Sequence, residues 1–235
     1  GLGDVYKRQV LVVGAGVSGI LAAKNAAKNN FKTLLVDEKN ELGGSTIYEN
    51  NEFNKINNKT PSEWLKKEIE ELKNIKNLEI KTRTSVAAYH QYNYLLAREN
   101  LTDHLEAKDK TNKIRQRLLK IRAKKVILAT GALERPLIFN NNDRPGIMLS
   151  SAIKKYSEFY GVACGSKNVF FTNNDSAYES ALSLYNKGIN VEAIVDIREQ
   201  SVSKIVKKVK EAGIKVYWSH TVSYTHLTLP TKQDV

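Results

Sequence analysis

Residues 10–44, VLVVGAGVSGILAAKNAAKNNFKTLLVDEKNELGG, decide the fold of this chain. The apolar run 10–13 predicts a buried parallel strand, and an alanine-rich helical segment extends from Val17 to about Asn30. A second apolar run, 33–36, ends at two acidic residues. A strand, a helix and a second strand in this order predict a βαβ unit with a parallel sheet.

Three glycines between the first strand and the helix form the pattern GxGxxG. Gly14 permits the tight turn, Gly16 lets the backbone approach a pyrophosphate, and Gly19 lets the helix pack closely on the strand. The helix N-terminus adds N–H groups without intrahelical partners and the positive end of the helix dipole. The stretch therefore predicts a binding site for the pyrophosphate of a dinucleotide.

An acidic residue, Asp37, follows the second strand. Residues 20–36 separate it from Gly19, a spacing that lets its carboxylate accept hydrogen bonds from the hydroxyls of an adenosine ribose. The same charge would repel a 2′-phosphate, so NAD or FAD is favoured over NADP. The acidic residue alone does not decide between NAD and FAD.

Composition limits the classes of function. The chain has 235 residues, of which 41% are hydrophobic and 26% charged, as in soluble globular proteins with one large or two modest domains. No apolar run is long enough to span a membrane, and the single cysteine, Cys164, fits a reducing compartment, so we expect a cytoplasmic protein. The net charge of +12 comes mostly from lysines spread over helix faces, which predicts no nucleic-acid partner. The four histidines show no metal-site spacing, and we expect no metal.

Both ends of the chain resemble translated adapter sequence, and we expect residues 1–9 and 223–235 to be foreign to the fold. A turn at Pro145-Gly146 suggests a domain boundary. The predicted domains are a first dinucleotide-binding domain, 10–146, and a second nucleotide-binding-like domain, 147–222.

Further strands and helices are expected on both sides of that boundary. In the first domain a helix begins at Thr60-Pro61, and the predicted strands are 78–81, 85–90, 93–98, 116–121 and 125–129, with an antiparallel insertion at 85–98. The last strand ends in ATGALERP, whose small residues would let the backbone pass beside a bound dinucleotide. In the second domain the predicted helices are 150–160, 176–187 and 202–212, and the strands are 168–171, 191–195 and 214–218.

The second domain differs from the first at its strand-to-helix turn, TNNDSAY, which has no glycine. Asp175 or Ser176 is expected to cap the helix, but Asp175 also places negative charge where a pyrophosphate would lie. The sequence predicts a dinucleotide-like fold without the usual phosphate loop. Reduction of an FAD in the first domain by a mobile NAD(P)H is therefore not expected.

Five segments, GAGVSG, VDEKNELGG, ATGALERP, NNNDRPGIM and FFTNNDSAY, together resemble the alpha subunits of heterotetrameric sarcosine oxidases. The likeness spans residues 10–222 and only an internal portion of that longer subunit. It implies an α/β fold with two Rossmann-like domains of the FAD/NAD(P)-binding type, parallel sheets and an antiparallel β insertion.

The resemblance also implies an activity for the whole assembly. Such enzymes oxidise sarcosine to glycine, pass the methyl group on as formaldehyde or methylene-tetrahydrofolate, and reduce oxygen to hydrogen peroxide. Amine oxidation belongs to the FAD of the beta subunit, FMN lies at the alpha–beta interface, and the alpha subunit holds NAD. The implied partners are the beta, gamma and delta subunits, and no catalytic residue is implied for this segment. The nucleotide-binding residues implied are Gly14, Gly16, Ser18 and Gly19 for the pyrophosphate, Asp37 for the ribose, and Glu38, Gly44, Ser45, Thr130 and Gly131 for the lining of the same site.

Three alternatives remain open. A self-contained FAD/NAD(P)H reductase of the disulfide-reductase type shares the first motif, but this chain lacks a second glycine loop and a CxxxxC pair. A related flavin-dependent amine or opine dehydrogenase subunit would hold FAD in the first site. A basic nucleic-acid-binding protein is suggested by net charge alone.

Overall fold

The computed structural model describes residues 5–48, 55–110 and 113–221. Its packing divides the chain into two compact units, Gly1–Ala132 and Leu133–Val235. Each unit has its own sheet with helices, so the predicted α/β class is confirmed. None of the helices in the described residues is long and apolar enough to cross a membrane.

The first unit has a mixed six-stranded sheet. Its elements are β1 (Val5–Val13), α1 (Val17–Lys28), β2 (Thr33–Val36), α2 (Pro61–Lys73), β3 (Leu78–Lys81), β4 (Thr84–His90), β5 (Tyr94–Asn100) and β6 (Gln116–Leu128). The strand order is β3-β2-β1-β6-β5-β4. Strands β3, β2, β1 and β6 are parallel, whereas β4, β5 and β6 form an antiparallel meander. The parallel sheet and its antiparallel insertion match the sequence prediction.

Strand β6 links the two parts of this sheet. The sequence predicted separate strands at 116–121 and 125–129, but the structure has one continuous strand. It pairs with β5 along its first half and with β1 from Lys120 to Leu128. The two pairings overlap at residues 120–122, and pairing with β1 keeps the backbone extended through the charged residues that follow, where hydrophobicity alone predicts no strand.

Strand β1 begins earlier than the sequence suggested. Residues 5–9, which we expected to lie outside the fold, extend β1, and they pair in parallel with the middle of β6, from Val5 opposite Lys120 to Arg8 opposite Ala123. The reason is geometric, because β6 is long enough to pair with the residues that precede Val10. The other residues of the two expected foreign ends, 1–4 and 223–235, lie outside the described residues.

The parallel sheet is covered by helices on one side and by the meander on the other. Alternate residues of β1 and β2 therefore enter different clusters, as expected for strands buried on both faces. The helix-side cluster contains Val10, Val12, Ala15, Ala23 and Leu35. The meander-side cluster contains Leu11, Val13, Leu34, Val36, Leu95, Ala97, Leu119, Ile121 and Ala123.

Helix α2 begins where the sequence predicted, after Thr60, and its first turn is closed by a capping box. The Thr60 side chain accepts from Glu63 N–H at 3.4 Å, and the Glu63 carboxylate accepts from Thr60 N–H at 3.0 Å. The bond from the Thr60 backbone holds the pKa of Glu63 below its ordinary value. The buried face of α2 carries Trp64, Leu65 and Leu72.

We expect Thr60→Ala to weaken the first turn of α2 by about 1 kcal/mol, because an orphan N–H group loses its acceptor. Thr60→Ser keeps a hydroxyl and is the matched control. Hydrogen exchange of α2 amides in the full-length protein measures the local opening free energy. Equal exchange in both variants would contradict the role of the cap.

The second unit has a smaller, fully parallel sheet in the order β7-β8-β9. Its elements are α3 (Ser150–Phe159), β7 (Asn168–Thr172), α4 (Ser176–Asn186), β8 (Val191–Asp196), α5 (Lys204–Glu211) and β9 (Lys215–Trp218). These bounds lie within two residues of the predicted ones. Its core includes Phe170, Tyr178, Leu184, Ile194, Val206 and Val209.

The boundary between the units lies earlier than predicted. We placed it after Gly146, but residues 133–146 belong to the second unit. The physical reason is a set of contacts from this segment to α3 and β7. The Glu134 carboxylate accepts hydrogen bonds from the N–H groups of Ser150 and Ser151 at 3.1 and 2.7 Å, which caps α3. The Phe139 ring also meets Phe171 edge-on at 5.4 Å.

Candidate functional site

The turn from β1 into α1 requires glycine at its first position. Gly14 has a φ of +97°, and a Cβ there would lie 2.2 Å from the carbonyl oxygen of Ala129. Ala129 itself donates to Val13 O at 2.7 Å. The residues that follow β6 therefore lie directly against the glycine turn.

The other two glycines of the motif have different surroundings. A Cβ on Gly19 would lie 1.8 Å from the carbonyl oxygen of Gly14, so this position is closed by backbone. A Cβ on Gly16 would meet no atom of the described chain within 4 Å. Gly16 is also the N-cap of α1, and it therefore presents open space in front of a helix N-terminus. That is where a phosphate can approach the backbone.

Asp37 fixes the glycine turn as well as ending β2. Its Oδ2 accepts from Ala15 N–H at 2.6 Å, and its Oδ1 accepts from Lys39 N–H at 2.8 Å. A carboxylate has about four lone-pair sites, so these bonds leave acceptor capacity for a ribose hydroxyl. The Asp37 carboxylate thus connects the glycine turn to the end of β2, where a ribose would lie.

A third segment, ELGG, closes the opposite side of the turn. Gly43 N–H donates to Ala15 O at 2.7 Å. Gly44 has a φ of +60°, and a Cβ there would lie 3.0 Å from the Cα of Gly16. Only a residue without a side chain lets this segment come so close to the glycine turn.

These contacts define a nucleotide cradle, made of the β1–α1 turn, the end of β2, the ELGG segment and the residues after β6. The structure brings together six of the residues proposed from sequence: Gly14, Gly16, Gly19, Asp37, Gly44 and Thr130. The other four are near them in sequence and are mostly solvent-exposed: Ser18, Glu38, Ser45 and Gly131. Sequence reasoning missed Ala15, Gly43 and Ala129, whose backbone groups connect the segments. The small size of all three was the available signal.

Residues 8–227 match the family model described as pyridine nucleotide-disulphide oxidoreductase. The chain belongs to this family. A dinucleotide-binding fold is the shared feature that the cradle displays. This chain contains a single cysteine, Cys164, and so has no pair of thiols for an internal disulphide.

Comparison with individual curated proteins gives a more specific likeness than the family model does. Sarcosine oxidase alpha subunits from Corynebacterium sp. strain P-1 and strain U-96 are 40% and 37% identical over 88% and 92% of this chain. The corresponding subunit of Rhizobium meliloti is 36% identical over 83% of it. The resemblance found in the motifs is thereby confirmed. The chain spans about a fifth of the length of these relatives, 20–22%.

Solved structures support the same fold. L-proline dehydrogenase from P. horikoshii superposes with a TM-score of 0.65 and 25% identity, over 85% of this chain and 38% of that one. Thioredoxin reductase from T. acidophilum superposes with a TM-score of 0.64 over 92% of this chain and 66% of that one. At 17% identity, the second likeness shows the fold alone.

The second unit has a strand-to-helix turn of a different kind. We expected Asp175 or Ser176 to cap α4, but the capping acceptor is Asn174, whose Oδ1 accepts from the N–H and hydroxyl of Ser176 at 3.0 and 2.6 Å. Asp175 occupies the N-cap position without a side-chain capping bond. The Asp175 carboxylate instead accepts a hydrogen bond from Arg198.

Arg198 links the two acidic residues of this unit. Its guanidinium donates to Asp175 at 2.8 Å and to Asp196 at 2.7 Å. Asp196 ends β8 and is fully buried, and it also accepts from the Tyr178 hydroxyl at 2.8 Å. We call these four residues the arginine clamp. It lies across the carboxyl ends of β7 and β8, the edge where ligands of open α/β sheets bind.

The clamp sets the charge states of its members. Burial alone would raise the pKa of Asp196, but hydrogen bonds from Arg198 and Tyr178 outweigh it and keep that pKa below its ordinary value. Burial and the bond to Asp196 raise the pKa of Tyr178 above its ordinary value. The carboxylate that corresponds to Asp37 is thus ionised and fully engaged by protein groups. No group of three or more potential metal ligands occurs among the described residues.

Proposed function

We propose that this chain is the dinucleotide-binding module of the alpha subunit of a multi-subunit sarcosine oxidase. The observation that carries the proposal is the open cradle at Gly16 in a chain 36–40% identical to three such subunits. The whole enzyme would convert sarcosine, oxygen and water into glycine, formaldehyde and hydrogen peroxide, or pass the methyl group to tetrahydrofolate. The beta, gamma and delta subunits would be its partners, in the cytoplasm.

In this proposal the chain binds and orients a nucleotide and does not oxidise the amine. The open backbone at Gly16 and the N-terminus of α1 would receive the pyrophosphate. Asp37 would accept from the adenosine ribose while it holds the turn through Ala15. NAD is the nucleotide proposed for this site, with FAD as the alternative. FMN and a further FAD would belong to the rest of the assembly.

The decisive experiment is to identify the nucleotide. The full-length protein is produced with its cognate subunits, the alpha chain is separated, and its bound nucleotide is released with acid and identified by mass. NAD without FAD supports the proposal. An alpha chain without any dinucleotide would refute it.

A second candidate is a subunit of a related amine or imino-acid dehydrogenase with FAD in the cradle. The observation that favours it is the 25% identity and TM-score of 0.65 to an L-proline dehydrogenase. FAD in the alpha chain, together with dye reduction by proline but not by sarcosine in the whole assembly, would decide for this candidate.

We expect Asp37→Ala to reduce the affinity for NAD at least tenfold, about 1.4 kcal/mol, since both the ribose acceptor and the partner of Ala15 N–H are lost. NADP should lose less affinity, because the carboxylate that repels its 2′-phosphate is also gone. Glu41→Gln removes one negative charge from an exposed neighbouring position and is the control. Titration calorimetry of the nucleotide-free protein measures these affinities. An equal loss for NAD and NADP would contradict a ribose-facing role.

A further inference from the structure

The outward side of the antiparallel meander has an unusual composition. Residues that alternate with the buried ones form three rows across β4, β5 and β6. The rows are Ser85, Arg98 and Leu118; Ala88, Leu96 and Lys120; and His90, Tyr94 and Arg122. We call these nine residues the outer meander face. They are exposed or half-buried, whereas Leu95, Ala97, Leu119 and Ile121 on the inner side are buried.

The outer meander face carries three cations and no carboxylate. Among the described residues, Arg98, Lys120 and Arg122 form no ion pair. Some lysines elsewhere do pair with carboxylates: Lys24 lies 2.6 Å from Glu68, and Lys81 lies 2.9 Å from Glu99. The three cations of this face are therefore available to carboxylates of a partner.

Apolar surface lies between these cations. Leu118 is 62% exposed beside Arg98, and Leu96 is half-buried beside Lys120. The Arg122 guanidinium lies over the Tyr94 ring at 5.4 Å, an arrangement that holds the arginine in place. Arginine and tyrosine are both enriched in protein–protein interfaces.

The tip of the β4–β5 hairpin adds a strained aromatic residue at one end of this face. Tyr92 is 83% exposed and has a φ of 58° and a ψ of 33°, a left-handed conformation that a bulky residue rarely adopts. Backbone strain of this kind is found preferentially where a ligand or partner binds. The neighbouring Asn93 anchors the tip by donating to Lys124 O at 3.0 Å.

We propose that the outer meander face docks an acidic, partly apolar surface of another protein subunit. The proposal rests on the proposed function, in which this chain works inside a multi-subunit enzyme. Carboxylates of the partner would pair with the three free cations, while Leu96 and Leu118 would be covered by its apolar side chains. A group of positive charges around an apolar centre accelerates association with an acidic partner and disfavours partners that carry positive charge. A nucleic acid fits less well, because its phosphates would pair with the cations but would also place negative charge next to Leu96 and Leu118.

The test compares two triple variants of the full-length protein co-expressed with its cognate beta, gamma and delta subunits. Arg98→Glu, Lys120→Glu and Arg122→Glu reverse the charge of the face. Lys204→Glu, Lys207→Glu and Lys215→Glu make the same charge change at exposed positions of the second unit. Native mass spectrometry reports which subunits stay bound. The dissociation constant is measured at about 50 mM and about 500 mM NaCl, which differ strongly in screening length.

We expect reversal of the face to weaken binding of at least one subunit more than tenfold at the lower salt concentration and to remove most of its salt dependence. The control variant should bind as the unmodified protein does. The corresponding glutamine variant should give an intermediate loss, and an unchanged nucleotide content shows that the fold is intact. Equal binding by all variants, or an equal loss in the control, would overturn the proposal.

Two further outcomes separate this proposal from the proposed function. An unmodified protein that retains NAD but binds none of these subunits would overturn docking and leave the nucleotide module standing. Assembly that depends on the face, without any nucleotide in the cradle, would support docking and refute the nucleotide module. Binding of a poly(U) oligonucleotide that is lost in the reversed variant, with assembly unchanged, would assign the face to nucleic acid instead.

Discussion

Replacing Gly19 with alanine is expected to prevent stable folding of the first unit. The added Cβ would lie 1.8 Å from the carbonyl oxygen of Gly14 and 3.3 Å from the Cβ of Ala129. The first of these atoms belongs to backbone, which cannot rotate away as the end of a side chain can. The helix must therefore move off the sheet, and overpacking of this kind costs about 3 kcal/mol or more. The expected result is a low yield of folded protein and rapid hydrogen exchange throughout β1.

Gly16→Ala is the matched variant, and we expect it to keep the fold but to lose nucleotide affinity. A Cβ there meets no atom of the described chain within 4 Å, and the φ of −73° suits any residue. Without nucleotide, exchange in β1 should therefore equal that of the unmodified protein. Nucleotide affinity should fall at least tenfold, because the new methyl group occupies the space in front of the helix. A Gly16→Ala protein with full affinity would show that the pyrophosphate does not approach at this glycine.

The contrast between these glycines shows how much of the site the sequence could predict. The spacing of GxGxxG is a local signal, so the turn, the helix and the position of Asp37 could be predicted from residues close together in the chain. The approach of Ala129 to Gly14 joins distant segments, and the small residues of the ATG motif are compatible with it, although the sequence predicted only that this segment passes beside a dinucleotide. Local sequence and long-range packing agree in the cradle.

Other features depend on contacts that no local pattern encodes. The bond from Ala15 N–H gives Asp37 a structural role in addition to ribose binding, and it arises only when β2 lies beside the turn. The continuity of β6 depends on partners on both of its edges. The unit boundary was misplaced since a turn at Pro145-Gly146 is visible in the sequence, whereas the cap that Glu134 places on α3 is not.

The two units show how one topology leads to different surfaces. In each, a strand, a helix and a strand end at an aspartate that accepts from the N–H two residues further on. In the first unit, glycines leave the space beside that aspartate open. In the second, Asp175 and Arg198 bring charged side chains into the corresponding region and bond to each other. The missing glycine loop was predictable, but the arginine that bridges the turn to Asp196 was not.

Removing that bridge should produce the second large effect. We expect Arg198→Met to destabilise the second unit by about 3–5 kcal/mol at neutral pH, because the fully buried Asp196 carboxylate loses its cation. The Tyr178 hydroxyl and the backbone N–H at position 198 would remain as its hydrogen-bond donors. Hydrogen exchange of β8 in the full-length protein measures the local opening free energy.

The pH dependence separates loss of charge pairing from a loss of packing. In the unmodified protein the pKa of Asp196 is lowered, so the clamp's contribution is present above the ordinary aspartate pKa of about 3.9 and is lost as the pH falls through the folded value. Without the Arg198 guanidinium, burial is opposed only by the hydrogen bonds from the Tyr178 hydroxyl and from the backbone N–H at position 198, and the folded pKa should rise above the unfolded one. Protonation then stabilises the folded variant, so its deficit should shrink as the pH falls from 7 towards 4.

Asp196→Asn in the same chain as Arg198→Met is the control, because it replaces the buried charge with a neutral group of the same shape. The double variant should recover part of the lost stability at neutral pH, and its remaining deficit should not change with pH over this range. A single variant whose deficit is independent of pH, or no larger than about 1 kcal/mol, would show that Arg198 acts through packing alone. In that case the bonds across the turn would contribute little, and the shape of β8 and α4 would hold the second unit together.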